Sequence, residues 1–220
     1  MVLSSLYFIT DRQASGQRSV PDLVKAAIEG GLKLLQYREK ELPKREAFLV
    51  ARDLRELTRL AEVTLIINDD LDLAMAVEAD GVHLGQEDLP LPVARKILGH
   101  RKIIGISVRD IAAAQRAVQE GADYIAVGPI FRSSTKLVRS PMGCSIIREI
   151  RKVTRLPLFG IGGIDLTNVC EVIQAGADGV GVIASLHQAS DVTKATRQFL
   201  KLLAECKKMQ DWHLCSGKKS

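Results

Sequence analysis

Two acids and three cations carry the chemistry that this chain could do. Asp69 sits in IINDDLDLA, two residues after Ile67, which ends an apolar run. Asp88 closes GVHLGQED, just after a second short apolar run, Gly81 to Leu84. Two carboxylates on neighbouring loops suit a hard cation such as Mg²⁺, which takes oxygen ligands and leaves positions for substrate phosphates. Helix capping is the competing account of either Asp alone, since an acid at a helix start contributes about 1 kcal/mol without any function. The pair weighs toward metal. Arg38 and Lys40, in QYREK, and Lys136, in STK, add positive charge. Cations beside a metal form a clamp for a diphosphate. Each of these charges taken singly is more often a solvated loop residue, so their convergence is the argument.

A second anion signal is separate from the first. Gly162-Gly163, in GIGGI, lets backbone N–H groups approach an anion, and Ile183-Ala184 opens a further turn. Tight packing of a strand on a helix also asks for Gly, but paired turns of this kind form the common phosphate site of a barrel. Ser133 and Thr135, just before Lys136, are uncharged donors. They suit a carboxylate or the second ligand's phosphate, or they shape the loop. The pattern therefore asks for two anionic ligands: a diphosphate with metal, and a monophosphate. That suggests joining two phosphorylated molecules with diphosphate as the leaving group.

These residues need elements that bring them to one face. Eight short apolar runs supply them: Leu6–Thr10, Leu32–Lys40, TLIIN, GVHLG, Lys102–Ser107, Asp123–Gly128, LPLFGIGG and Asp178–Ser185. Helical periodicity separates them, and the alternation predicts a single-domain (β/α)8 TIM barrel. A repeat supports it. EGGLKLLQ, EADGVHLG, EGADYIAVG and AGADGVGVI introduce the second, fourth, sixth and eighth strands, and the odd strands lack this preamble. An open doubly wound sheet is the alternative, but no GxGxxG follows the first strand. In a barrel the strands' carboxyl ends share one mouth, which is where all the charges above fall. The catalytic barrel is expected to occupy residues 1–203, with 204–220 a basic, flexible tail.

Composition narrows the class. Hydrophobic residues make up 46% of 220, enough to bury a full core, and aromatics only 4%. The net charge of +5 comes largely from the tail, where five Lys from Lys201 onward face Glu205 and Asp211. Without a basic stripe interleaved with aromatics, nucleic acid is not expected as a partner. No run reaches the roughly 18–20 apolar residues of a membrane span, and the N-terminus reads as a strand rather than a secretory leader. Cys144, Cys170, Cys206 and Cys215 have no CxxC spacing, so neither zinc nor a disulfide is expected, and a reducing cytoplasm fits.

The motifs LYFITD, QYREK, INDDLDLA, ADGVHLGQED, GISV, GADYIAVGPIF, STK, GIGGI and AGADGV together resemble the thiamine-phosphate synthase family, from about residue 5 to 200. The resemblance implies the same barrel and a transferase of thiamine biosynthesis. Its reaction couples 4-amino-2-methyl-5-hydroxymethylpyrimidine diphosphate with 4-methyl-5-(2-phosphooxyethyl)thiazole, giving thiamine monophosphate and diphosphate. It implies Arg38, Lys40, Asn68, Ser107 and Lys136 as diphosphate ligands, of which Arg38, Lys40, Ser107 and Lys136 serve catalysis. It implies Asp69 and Asp88 as ligands of the Mg²⁺ cofactor, and Gln36 and His83 as lining the pyrimidine pocket. Ser133 and Thr135 fall to the thiazole side, and Gly163, Ile183 and Ala184 to its phosphate. The mechanism implied is dissociative: diphosphate departs, and the thiazole nitrogen captures the pyrimidine methyl cation. Two positions depart from the family pattern: Arg109 where His is frequent, and Ala184 followed by Ser185 where Ser is frequent. A homo-oligomer is compatible with the resemblance. A thiazole tautomerase-type isomerase, or a non-catalytic phosphate-binding barrel, are the rivals. The retained acids and cations argue against both.

Overall fold

The structure is a computed structural model that describes residues 3–132 and 140–216, with side chains described up to 210. In chain order the elements are β1 (Leu6–Ile9), α1 (Arg12–Ser15), α2 (Val20–Glu29), β2 (Leu34–Tyr37), α3 (Lys44–Leu60), β3 (Thr64–Asn68), α4 (Leu71–Ala76), β4 (Gly81–Leu84), α5 (Leu91–Leu98), β5 (Ile103–Val108), α6 (Ile111–Gln119), β6 (Tyr124–Val127), α7 (Ser145–Val153), β7 (Leu158–Ile161), α8 (Val169–Gln174), β8 (Gly179–Val182), α9 (Ala184–His187) and α10 (Val192–Ser216). The strands pair in parallel and in sequence order, and β8 closes on β1. The expected (β/α)8 barrel is the observed fold.

Alternation along each strand divides the apolar residues between two cores. Leu6, Phe8, Leu35, Leu65, Ile67, Val82, Ile104, Ile125 and Val180 face the helices. Tyr7, Ile9, Leu34, Ile66, Ile103, Tyr124 and Phe159 fill the barrel interior. This period of two on a parallel sheet keeps both faces buried and reads as unbroken apolar runs.

The repeat before the even strands has a physical cause. Asp80 Oδ2 accepts the Leu65 N–H at 2.8 Å and pairs with Arg55 Nη1 at 2.9 Å. Asp123 Oδ2 does the same for the Ile104 N–H at 2.7 Å and Arg95 Nη2 at 2.6 Å. Asp178 Oδ2 repeats it with the Leu158 N–H at 2.8 Å and Arg151 Nη2 at 2.5 Å. Each Asp thus satisfies an otherwise unpaired N–H near the start of the preceding odd strand, at the end of the barrel away from the mouth. Lys33 holds the corresponding place before β2 and instead donates to the Ala61 carbonyl at 2.8 Å.

Three expectations need correction. The last helix does not stop at Leu203: α10 continues to Ser216, and its Leu203 and Cys206 are fully buried in the hydrophobic core. Residues 204–216 are therefore helical. Cys170 and Cys206 form a disulfide between α8 and α10, which their distant spacing in sequence does not suggest. The eighth apolar run also ends early, since Ala184 and Ser185 turn into α9.

Candidate active site

The upper barrel interior is polar, and its polar groups are joined. Gln36 Nε2 donates to Tyr7 Oη at 2.6 Å. Tyr7 Oη lies 2.7 Å from Tyr124 Oη, which lies 2.9 Å from His83 Nδ1. His83 Nε2 lies 2.8 Å from Ser107 Oγ. All but Ser107 are buried. Gly105 makes room for this chain, because a Cβ there would fall 1.9 Å from Tyr124 Cζ. Burial brings the His83 imidazole down to about 4, so it is neutral near pH 7.

Charged residues ring the mouth above. Arg38 Nη1 pairs with Asp11 Oδ2 at 2.5 Å, and the Arg38 N–H donates to Thr10 Oγ1 at 2.9 Å. Lys40 Nζ pairs with Asp69 Oδ2. Asp69 follows Asn68, the last residue of β3, and has a φ of +61°, a left-handed backbone that costs energy in a non-glycine residue. Its N–H donates to the His83 carbonyl at 2.8 Å, which ties the β3 loop to β4. Asp88 Oδ2 accepts the Gly85 N–H at 2.6 Å. Partial burial pushes the Asp88 carboxyl up, and its contact with the Asp69 carboxyl adds to the rise. The two acids that the sequence places on neighbouring loops therefore meet.

Two carboxylates pressed together are a donor set that a divalent cation relieves. Among the described residues no third His, Cys, Asp or Glu joins them to make a group of three. That fits a hard cation whose other positions go to water and phosphate oxygens.

A cavity of about 420 Å³ opens between the β7 and β8 loops. Gly162, Gly163, Ile183, Ala184 and Ser185 line it, as the sequence suggests for a phosphate. Two charged residues, Arg132 and Asp165, line it too. The Thr167 hydroxyl, donating at 2.5 Å, holds the Asp165 carboxyl below its usual range. Packing also accounts for both glycines: a Cβ at Gly162 would lie 2.7 Å from Pro129 Cβ, and one at Gly163 would lie 2.2 Å from the Arg132 carbonyl oxygen. Ser185 Oγ donates to the Ile164 carbonyl at 2.6 Å, so its hydroxyl braces the β7 loop.

Ser133, Thr135 and Lys136 lie outside the described residues. Four residues at this end of the barrel escape sequence reasoning: Tyr7, Tyr124, Asp11 and Arg132. For the tyrosines a signal existed. Both share the inward parity of Gln36 and His83, and a buried hydroxyl needs a polar partner. Arg109 Nη1 is buried without a hydrogen-bond partner among the described residues. Among the remaining buried groups, His187 accepts the Asp11 N–H at its Nε2, 3.0 Å away, and binds Ser15 Oγ at 3.0 Å through its Nδ1.

Comparison with known proteins adds an independent finding. Residues 6–186 match the family model described as Thiamine monophosphate synthase. The chain is 47% identical over 203 residues to a thiamine-phosphate synthase of Moorella thermoacetica, covering 92% of this chain and 97% of that protein. It is 44% identical over 200 residues to that of Chloroflexus aurantiacus, covering 90% and 92%. The solved thiamine phosphate pyrophosphorylase of Pyrococcus furiosus superposes with a TM-score of 0.84 at 38% identity, covering 92% of this chain and 96% of that one.

Proposed function

The chain belongs to the thiamine monophosphate synthase family, and from that premise we propose how its barrel mouth makes thiamine monophosphate. The enzyme is a transferase of thiamine biosynthesis that joins the aminopyrimidine diphosphate to the thiazole phosphate. The bond from the pyrimidine methylene to the diphosphate oxygen breaks, and diphosphate keeps the electron pair. The thiazole nitrogen then forms the new N–C bond with its own lone pair. No proton has to be removed from that nitrogen, so the site needs no general base there.

The site's task is to stabilise a leaving anion and to hold two substrates in line. Arg38, Lys40 and Lys136 supply positive charge to the diphosphate, with Asn68 and Ser107 as neutral donors. Asp69 and Asp88 hold Mg²⁺, which when bound draws off charge from the leaving group. Gln36 and His83 line the pyrimidine pocket. Ser133 and Thr135 serve the thiazole side. The cavity at Gly163, Ile183 and Ala184 takes the thiazole phosphate, with Arg132 beside it. The observation that carries these assignments is the meeting of Asp69 and Asp88 beside Lys40, over a neutral polar barrel interior. Among the described residues no helix is long and apolar enough to cross a membrane; the setting we propose is the cytoplasm, where a bridge such as Cys170–Cys206 is uncommon.

The test is direct. The purified chain with both substrates and Mg²⁺ should release thiamine monophosphate and diphosphate in equal amounts. Absence of product from folded protein at saturating substrates would overturn the assignment.

A further inference from the structure

The hydrogen-bond chain inside the barrel has a direction, and the direction has a consequence. An amide Nε2 can only donate, so Tyr7 Oη accepts from Gln36. The Tyr7 proton must then go to Tyr124 Oη, and the Tyr124 proton to His83 Nδ1. A neutral imidazole with an accepting Nδ1 carries its proton on Nε2, which donates to Ser107 Oγ. The Ser107 hydroxyl proton is left to point toward the mouth. At the other end the Gln36 carbonyl oxygen is left as an acceptor, with no protein donor among the described residues.

Rotating the Gln36 amide by half a turn reverses every link. Gln36 then offers an N–H to a ligand, Tyr7 donates to its carbonyl, and Tyr124 donates to Tyr7. His83 Nδ1 carries the proton, and Ser107 donates inward to Nε2. Ser107 would then show only lone pairs to the mouth. Mixed arrangements leave two donors or two acceptors facing each other at a buried link, each costing about 1–3 kcal/mol. So the chain has two consistent states, and its ends change together.

We propose that Tyr7 and Tyr124 are positioning residues that make recognition at Gln36 and recognition at Ser107 a single event. The forward state suits a ligand with an amine at Gln36 and an anion at Ser107. The reverse state suits a carbonyl at Gln36 and opposes an anion. The inference rests on the pyrimidine and diphosphate assignments above, and it deepens them: the relay selects an aminopyrimidine over its oxo counterpart when a diphosphate is attached. The tyrosines touch no substrate and act through Gln36, His83 and Ser107. Packing alone does not require their hydroxyls, because Phe would keep the edge contacts to Phe159, whose ring centroid lies 5.5 Å from Tyr7 and 5.6 Å from Tyr124.

Two measurements test this. In protein labelled with ¹⁵N-histidine, the His83 resonances are followed as inorganic diphosphate and Mg²⁺ are added. The expected result is Nε2 protonated and Nδ1 bare, with Tyr124→Phe giving a mixture of both tautomers under the same conditions. A protonated Nδ1 in the diphosphate-bound wild type, or an unchanged tautomer in Tyr124→Phe, overturns the proposal. The second measurement compares kcat/KM for the 4-amino and 4-oxo pyrimidine diphosphates. Tyr7→Phe should shrink that ratio by roughly tenfold, the worth of one buried hydrogen bond. An unchanged ratio overturns the coupling. A wild type that makes no product from either pyrimidine would instead overturn the substrate assignment, while the tautomer measurement would still report on the relay.

Discussion

Lys40, on the loop after β2, is ion-paired with Asp69, on the loop after β3, so a cation assigned to the diphosphate rests against an acid assigned to the metal. Arg38 is likewise held by Asp11. Arg38 and Lys40 are thus each paired with an acid at the mouth. A metal–diphosphate complex presents both signs at once, so it can replace these pairs without leaving a charge stranded. Substrate diphosphate without metal would strand Asp69, and metal alone would displace Lys40.

Asp88→Asn should lower kcat by roughly 100-fold or more, because it removes half of the carboxylate pair. The amide oxygen can still accept the Gly85 N–H, so the melting temperature should stay within a few degrees. Excess chelator should reproduce the loss in the wild type. Turnover that survives either treatment would show that Asp69 and Asp88 hold no catalytic metal.

Acid should destabilise the fold through its buried histidines. Burial lowers both His83 and His187 to about 4, below the unfolded value of about 6.5. Between those values the unfolded chain binds more protons, so stability falls as pH drops from about 6.5 toward 4 and levels off below it. Each site amounts to roughly 3 kcal/mol across that window. Denaturation midpoints measured from pH 7 to 4 check this. His187→Asn should have a shallower slope than the wild type, and an equal slope would remove His187 from the account.

The two anion sites should respond separately. Lys136→Ala should lower kcat with little change in thiazole phosphate affinity, since leaving charge develops only in the transition state. Arg132→Ala should raise KM for thiazole phosphate roughly tenfold and spare kcat, because that phosphate keeps its charge throughout. Steady-state kinetics with each substrate varied in turn would decide it, and the opposite pattern would exchange the two assignments. Substitution at Gly163 is a poor probe, because its Cβ would strike the Arg132 backbone and perturb the fold first.

Truncation should show where the dispensable part of the C-terminus begins. Cutting after Leu203 removes Cys206 and the bridge that spans 36 residues, worth about 4 kcal/mol in chain entropy, and should lower Tm by roughly 10 °C. Cutting after Gln210 spares both and should leave Tm and kcat unchanged. Equal melting of the two truncations would mean that the bridge adds nothing to the fold.

Much of the molecule was legible in its residues. Eight apolar runs separated by helical spacing define the barrel, because burial on both faces of a strand and on one face of a helix leaves different local periods. The barrel then implies that Arg38, Asn68, Asp69, Asp88 and Ser107 share a mouth, since all follow or end strands that point the same way. The repeated Asp80, Asp123 and Asp178 were visible as a pattern, but their partners were not. The Leu65, Ile104 and Leu158 N–H groups lie about 15–20 residues away, and only parallel pairing brings them close.

What the tertiary structure alone decided is which side chain meets which. Tyr7 and Tyr124 are 117 positions apart and touch only because the barrel closes at a particular stagger. The Arg38–Asp11 and Lys40–Asp69 pairs, the Cys170–Cys206 bridge and the place of Arg132 in the lining of the cavity between the β7 and β8 loops have the same origin. Periodicity is a short-range property, set by each residue's few neighbours along the chain. Contact across the barrel depends on register summed over eight strands and on where each loop folds back, and no local stretch of the sequence carries that information.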